Sequence, residues 1–319
     1  MIDRLPLLAW PNQPVLTTLI FHRVLAAPDP LRPFEPDIDR FDLLMSFVAR
    51  NLAVLELADA VDRLRRGALP RRACCITFDD GYSDNLTIAL PILEKFCLPA
   101  TVFVATGYLD GGRMFNDAVI DCISLTNEPR LDLRSLGLGV HVLNSNAAKS
   151  TAVAAILDVL KFSDPERRNQ QVDGLLQVAA CGGLPTDIML TSDQLREMSR
   201  RGVEIGGHTV THPVLTSVGN DRALSELAEG KRCLERIVGK PVSSFAYPNG
   251  RPTRDYGSQH VVMAKEVGFE RAVTTAAGVA VRSTDAFQLP RFSPWNRSMF
   301  AWNASLARNA MLGGPTATC

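Results

Sequence analysis

The chain has 319 residues, 46% hydrophobic and 21% charged, the composition of a globular protein with one large core or two smaller ones. Lys+Arg and Asp+Glu each number 34, so the net charge is zero and gives no electrostatic footprint for nucleic acid or an anionic membrane. No run reaches the roughly 18 apolar residues needed to span a bilayer.

The opening Met1-Ile2-Asp3-Arg4-Leu5-Pro6 lacks the basic-then-apolar layout of a secretory signal, which predicts a cytoplasmic protein. Seven cysteines with no C-x-x-C pair fit reduced thiols in that compartment.

In chain order, Val15 to Phe21 is an apolar, β-branched run that reads as a buried strand and delivers His22 at its end. Asp39 to Asn51 carries Phe41, Leu44, Met45 and Val48 on one helical face, and Ala58 to Arg66 reads as a second helix stopped near Gly67. Ala73 to Phe78 is a predicted strand, Asp84 to Phe96 a helix with Asp84 as its cap, and Ala100 to Ala105 a strand. From about Gly111 to Leu190 the rhythm breaks. Strands are scarce, and Ala147 to Leu160 and Asn169 to Ala180 look helical, so this stretch is read as a mainly helical insertion in a single domain spanning 1–319.

The α/β rhythm resumes with a helix from Ser192, taken as N-cap, to Arg201, then a strand at Val203 to Ile205. A long helix from Arg222 to Val238 follows, then strands at Val242 to Ala246, Arg271 to Thr274 and Phe287 to Arg291, with a helix over Gln259 to Val267. The catalytic core is thus expected at about 15–110 and 191–295. Strands alternating with helices predict an α/β protein with a mainly parallel sheet, closed or nearly closed into a barrel. Active sites in such folds gather at the C-terminal ends of strands. His22, Asp79, Asp80, His208, Asn249 and Arg291 all sit just past predicted strands.

Thr77-Phe78-Asp79-Asp80-Gly81 places two carboxylates side by side, one able to ligate a metal while the other faces substrate. Asp-Asp-Gly is also good turn chemistry. His208 and His212 lie four residues apart, a spacing that converges on one ion across a helical turn. Two imidazoles and one carboxylate leave open positions on the ion. Zn2+ is the expected metal, with Co2+, Ni2+, Mn2+ or Fe2+ as alternatives. His141 and His260 have no supporting neighbours and are assigned no role.

Together these segments resemble the first two motifs of the polysaccharide deacetylase (NodB-type) family of carbohydrate esterases. Phe245-Ala246-Tyr247-Pro248-Asn249-Gly250 resembles its third motif in the F-A-Y-P form found in deacetylases of the poly-N-acetylglucosamine type. The resemblance implies a distorted (β/α) barrel and metal-dependent removal of an acyl group from a sugar. It implies Asp80, His208 and His212 as metal ligands, Asp79 as the general base that activates water, and the Asn249 backbone N–H as an oxyanion donor.

Two positions depart from the commoner pattern. An Arg that orients the base is replaced by Ala246, and Arg291 is favoured over Arg251 as its substitute. The Leu-x-His that supplies the acid is here Leu289-Pro290-Arg291, and the resemblance points instead to His22 in Ile20-Phe21-His22-Arg23-Val24. Asp117 and Tyr247 are carried as sugar contacts, and Trp295 and Trp302 as residues that could stack on a ring.

The function expected is N-deacetylation of a sugar in a polysaccharide or glycan precursor, on a lipid or nucleotide carrier if the protein stays in the cytoplasm. The alternatives are an amidase or deformylase on a small acylated sugar or ureide, and a non-catalytic glycan-binding module.

Overall fold

The computed structural model describes residues 10–11, 13–161, 163–181, 183–293, 298–314 and 318–319. Leu16–Phe21 (β1) is buried along its whole length, as an apolar run covered on both faces requires. It is followed by Ile38–Asn51 (α1), Ala53–Val54 (β2) and Leu57–Arg66 (α2), which ends at Gly67 in the left-handed conformation. Ala73–Phe78 (β3) lies parallel to β1, with Leu16 opposite Ala73 and Phe21 opposite Phe78. β2 pairs with the start of β3, and Thr101–Val104 (β4) with its end.

Between β3 and β4 the predicted helix opens with a π-helical turn, Asn85–Ala89, before Leu90–Lys95 (α3). Asp84 does not cap it. Its carboxylate accepts instead from the Val24 N–H (3.2 Å) and Arg23 Nε (2.8 Å), so a tertiary contact takes the side chain away from the helix end.

The insertion contains Phe115–Leu125 (α4), an antiparallel hairpin of Arg130–Asp132 (β5) and Val140–Val142 (β6), then Asn146–Lys161 (α5) and Pro165–Val178 (α6). It has a hydrophobic core of its own, which includes Val119, Ile123, Leu133, Ile156 and Leu175. α4 escapes sequence reading because Met114, at its N-cap, offers no capping side chain. All seven cysteines are free thiols, and Cys122 and Cys181 bring their sulfurs to 2.8 Å inside the insertion.

Ser192–Arg200 (α7) is capped by Thr191 rather than Ser192, in a reciprocal box with Gln194. Glu204–Gly207 (β7) pairs with β4, then Asn220–Val238 (α8) leads to Ser244–Ala246 (β8), Ser258–Glu266 (α9) and Arg271–Val273 (β9). The curled parallel sheet runs β1-β3-β4-β7-β8-β9. The predicted strand at Phe287 to Arg291 makes only isolated bridges, Leu289 to Val273 and Phe292 to Leu19. Pro290 removes a donor that a ladder would need. The segment nonetheless spans from β9 back to β1, as a distorted (β/α) barrel requires.

Met299–Leu312 (α10), beyond the expected core, buries Leu306 and Trp302. Trp302 packs edge-on against Phe47 and is a core residue, not a sugar platform, and Trp295 lies outside the described residues. Among the described residues no helix is long and apolar enough to cross a membrane.

β7 passes so close to β4 that a Cβ on Gly206 would lie 2.3 Å from the Phe103 ring. Gly206→Ala is expected to lower stability by about 1–3 kcal/mol through overpacking, measured by urea unfolding of the full chain.

Candidate active site

The C-terminal ends of β1, β3, β7 and β8 and the segment after β9 converge on one cavity of about 860 Å³, lined by His22, Asp79, Asp80, His208, His212, Asn249 and Arg291 among others. The volume is in the upper part of the range for small-ligand sites.

Asp79 and Asp80 leave β3 in different directions because the chain turns abruptly between them. Asp80 is in the left-handed region (φ 76°), and Gly81 follows at φ 89°. Such backbone is tolerated where the surroundings over-determine it, and it separates the tasks of the two carboxylates. Asp79 is buried and held by Arg291 through two bonds, Nη1 to Oδ1 and Nη2 to Oδ2, both 2.7 Å. Arg291 also donates to the Thr274 carbonyl (Nε, 2.8 Å) and Thr77 Oγ1 (Nη1, 3.3 Å). Arg251 lines the cavity elsewhere, and it is Arg291 that bonds the Asp79 carboxylate.

Burial alone would raise the Asp79 carboxyl. The charge and paired hydrogen bonds of Arg291 outweigh it and hold the group below its ordinary range. It is therefore a carboxylate at neutral pH.

His208 and His212 do not sit on a helical turn, as the spacing suggested. They flank a loop in which Thr209 (φ 67°) and His212 (φ 52°) are both left-handed. Glu226 of α8 fastens the loop by accepting from the N–H groups of Val210 (2.9 Å) and Thr211 (2.7 Å) and from Thr211 Oγ1 (2.6 Å). The loop also presses on Gly107, where a Cβ would lie 2.7 Å from the Val210 carbonyl oxygen.

The loop brings His208 Nε2 to 3.4 Å and His212 Nε2 to 3.5 Å from Asp80 Oδ1. The three ligand atoms lie within 4.8 Å of one another.

Two observations fit this set to a cation. Asp80 Oδ1 is buried with no hydrogen-bond partner. His208 Nδ1–H donates to the Ala246 carbonyl (2.7 Å), so Nε2 is the ring nitrogen turned toward Asp80. Burial pushes His212 down to about 3, so its imidazole is neutral. Burial would raise Asp80, but interaction with the His208 and His212 imidazoles beside it holds it well below the ordinary carboxylate range. One carboxylate and two imidazoles match a Zn2+-type site with open positions.

His22 faces the same cavity from the end of β1. Its carbonyl accepts from Asn85 Nδ2 (2.9 Å), a contact that sequence did not suggest and that fixes the backbone of this residue. Burial would lower the imidazole, but the charges of Asp80, Glu35 and Asp79 overcome that and raise it. Asn249 is left-handed (φ 59°), and its carbonyl accepts from Thr275 Oγ1 at 2.6 Å.

Asp117 lines the cavity but is 1% exposed, bonded to the Tyr82 hydroxyl (2.8 Å) and Arg32 (3.3 Å). Tyr247 does not reach the cavity. Its ring is fully buried and stacked on Tyr256 at 3.9 Å, so the motif uses it as packing and not as a sugar contact.

Residues 66–272 match the profile of the polysaccharide deacetylase family, and the chain belongs to that family. It is 23% identical over 223 residues to the Bacillus subtilis (strain 168) protein described as "Putative polysaccharide deacetylase YxkH", covering 70% of this chain and 52% of that one. The chain thus spans about half the length of that relative. The fold is similar to that of the deacetylase PplD of Streptococcus pyogenes, at TM-score 0.62 and 20% identity over 93% of this chain and 99% of that one. It is also similar to IcaB of Ammonifex degensii, at TM-score 0.59 and 19% identity over 93% and 97%.

Asp80→Asn is expected to weaken Zn2+ binding at least about tenfold, because a neutral amide replaces the anionic ligand, whereas Asp79→Asn keeps its ion. Titration calorimetry with metal analysis distinguishes the two. The depressed Asp79 carboxyl also sets a pH dependence. Its stabilisation is complete above the unfolded value of about 3.9 and is lost as pH falls through the lower folded value. The stability difference between wild type and Asp79→Asn should therefore be largest near neutrality and narrow toward pH 3 in urea titrations.

Proposed function

We propose that this chain is a metal-dependent carbohydrate N-deacetylase that removes the acetyl group from an N-acetylated sugar of a polysaccharide or glycan precursor. One observation carries the reading: a buried carboxylate held by Arg291 stands beside a carboxylate–imidazole–imidazole triangle, with His22 in the same cavity.

Asp80, His208 and His212 would hold a divalent cation, Zn2+ by its donor set. When bound, it would polarise the acyl carbonyl and acidify the attacking water. Asp79 is ionised and fixed in orientation, as a general base must be to take the proton from that water. The Asn249 N–H is the donor assigned to the oxyanion that develops as water adds. His22, whose proton affinity is raised by the surrounding carboxylates, gives a proton to the departing amine. An amide needs that proton because an amine anion is a poor leaving group. In this scheme Arg291 acts through Asp79 and is a positioning residue.

Incubating the Zn2+-loaded chain with N-acetylglucosamine oligosaccharides should yield products about 42 Da lighter per acetyl group removed, by mass spectrometry. Chelation should abolish the reaction and Zn2+ or Co2+ restore it, and turnover indifferent to chelator would overturn the metal assignment. His22→Ala is expected to lower kcat by about 10²–10⁴-fold on the amide, with a smaller loss on an O-acetyl ester whose leaving group needs less help. Equal losses on both substrates would remove His22 from the acid role.

A further inference from the structure

Two thiols of the insertion stand apart from the other cysteines. Cys122 lies on α4, and Cys181 follows the end of α6, 59 residues later, so no short spacing in the sequence marks them as a pair. Their sulfurs are 2.8 Å apart, and the Cys181 thiol donates to the Cys122 carbonyl oxygen at 3.2 Å, which holds it against α4. A second bond joins the same two segments. Thr126 Oγ1, at the end of α4, donates to the Ala179 carbonyl at the end of α6 (2.9 Å). Closing the sulfur gap to the bonded distance of about 2.05 Å takes a movement of less than about 1 Å.

The other five thiols are placed elsewhere. Cys74 and Cys75 on β3 are buried in two different parts of the core, and Cys97 is exposed. The Cys233 sulfur accepts from Arg236 Nη2, and the Cys319 thiol donates to Gln288 Oε1. Exposure also sets an order within the pair. Cys122 is fully buried, and burial with the Cys181 sulfur beside it pushes its thiol up, whereas Cys181 is half-buried. A reagent from solvent meets Cys181 first, and Cys122 stands behind it as the resolving thiol.

We propose that Cys122 and Cys181 are a disulfide-forming pair that staples the insertion. The oxidant is a small-molecule disulfide. The Cys181 thiolate attacks one of its sulfurs, which breaks that S–S bond and releases one thiol. The Cys122 thiolate then attacks the Cys181 sulfur of the mixed disulfide and releases the second thiol. The cysteine pair loses two electrons and two protons, and the reagent takes up both.

The bond closes a loop that contains β5, β6, α5 and α6, and a closed loop of that length removes conformational freedom from the unfolded chain. It also ties α4, which lends Phe115, Asp117 and Ile120 to the cavity, to the end of the helix bearing Arg168, whose guanidinium stacks on the Phe115 ring at 4.4 Å. Oxidation therefore stiffens that wall of the cavity, whatever reaction is carried out there.

The test treats the full chain with glutathione disulfide or with dithiothreitol and maps its peptides without further reduction. The oxidised form should give a Cys122–Cys181 cross-linked peptide about 2 Da lighter than its two thiol peptides together, and the dithiol should remove it. The Tm of oxidised wild type should exceed that of the reduced form by about 5–10 °C, the shift expected of a disulfide that closes a long loop. That comparison needs no substitution, so no folding defect can imitate it. Cys181→Ser, a change at the half-buried partner, should have the same Tm under both treatments. Free thiols or separate glutathione adducts at both positions after oxidation overturn the bond. A cross-link that leaves Tm unchanged overturns the staple, as does a redox shift in Tm that persists in Cys181→Ser.

Discussion

The buried pair between Asp79 and Arg291 is the constraint on which the rest of the site depends. Two charges taken from water cost several kcal/mol each unless geometry and hydrogen bonding are nearly complete. Here both carboxylate oxygens are bonded at 2.7 Å, and Arg291 also bonds to Thr274 and Thr77. The pair joins the end of β3 to the segment that carries the barrel back from β9 to β1. A shift of that segment would strand a charge in the interior, so barrel closure and the orientation of Asp79 are fixed together.

The other site groups are held by the same means, each by a contact from a different element. Glu226 of α8 fixes the loop between the two histidines, the Ala246 carbonyl on β8 sets the tautomer of His208, and Asn85 anchors the backbone of His22. Left-handed residues cluster where these loops turn: Asp80, Thr209, His212 and Asn249. That concentration of uncommon backbone is paid for by the hydrogen bonds around it. It aims side chains that regular strands would point apart.

The insertion forms part of the cavity wall. Arg32 joins it to the first barrel segment through Asp117 and Asp121, while Leu31 enters its hydrophobic core. Asp117 is thus chiefly an ionic tie between the two parts, with its carboxylate satisfied by Tyr82 and the arginines. α5 and α6 then present Lys161 and Arg168 to the cavity.

The sequence by itself determined the strands of the parallel sheet, because β1 and β3 are continuous apolar runs that have only one stable use, burial on both faces. It also marked Asp79, Asp80, His208 and His212, since adjacent carboxylates and paired imidazoles after strand ends are chemically conspicuous. Weakly capped α4, the two-residue β2 and the short hairpin of the insertion left no periodic signal. Predicted helical geometry for the histidine pair failed because four-residue spacing also fits a loop with two left-handed residues. Tertiary structure alone decided that Arg291, 212 residues from Asp79, holds its carboxylate, that Tyr247 is buried, and that Glu226 and Asn85 brace the cavity's loops. These are partnerships across folded elements, and the hydrogen bonds that define them exist only once the sheet has curled and brought its strand ends together.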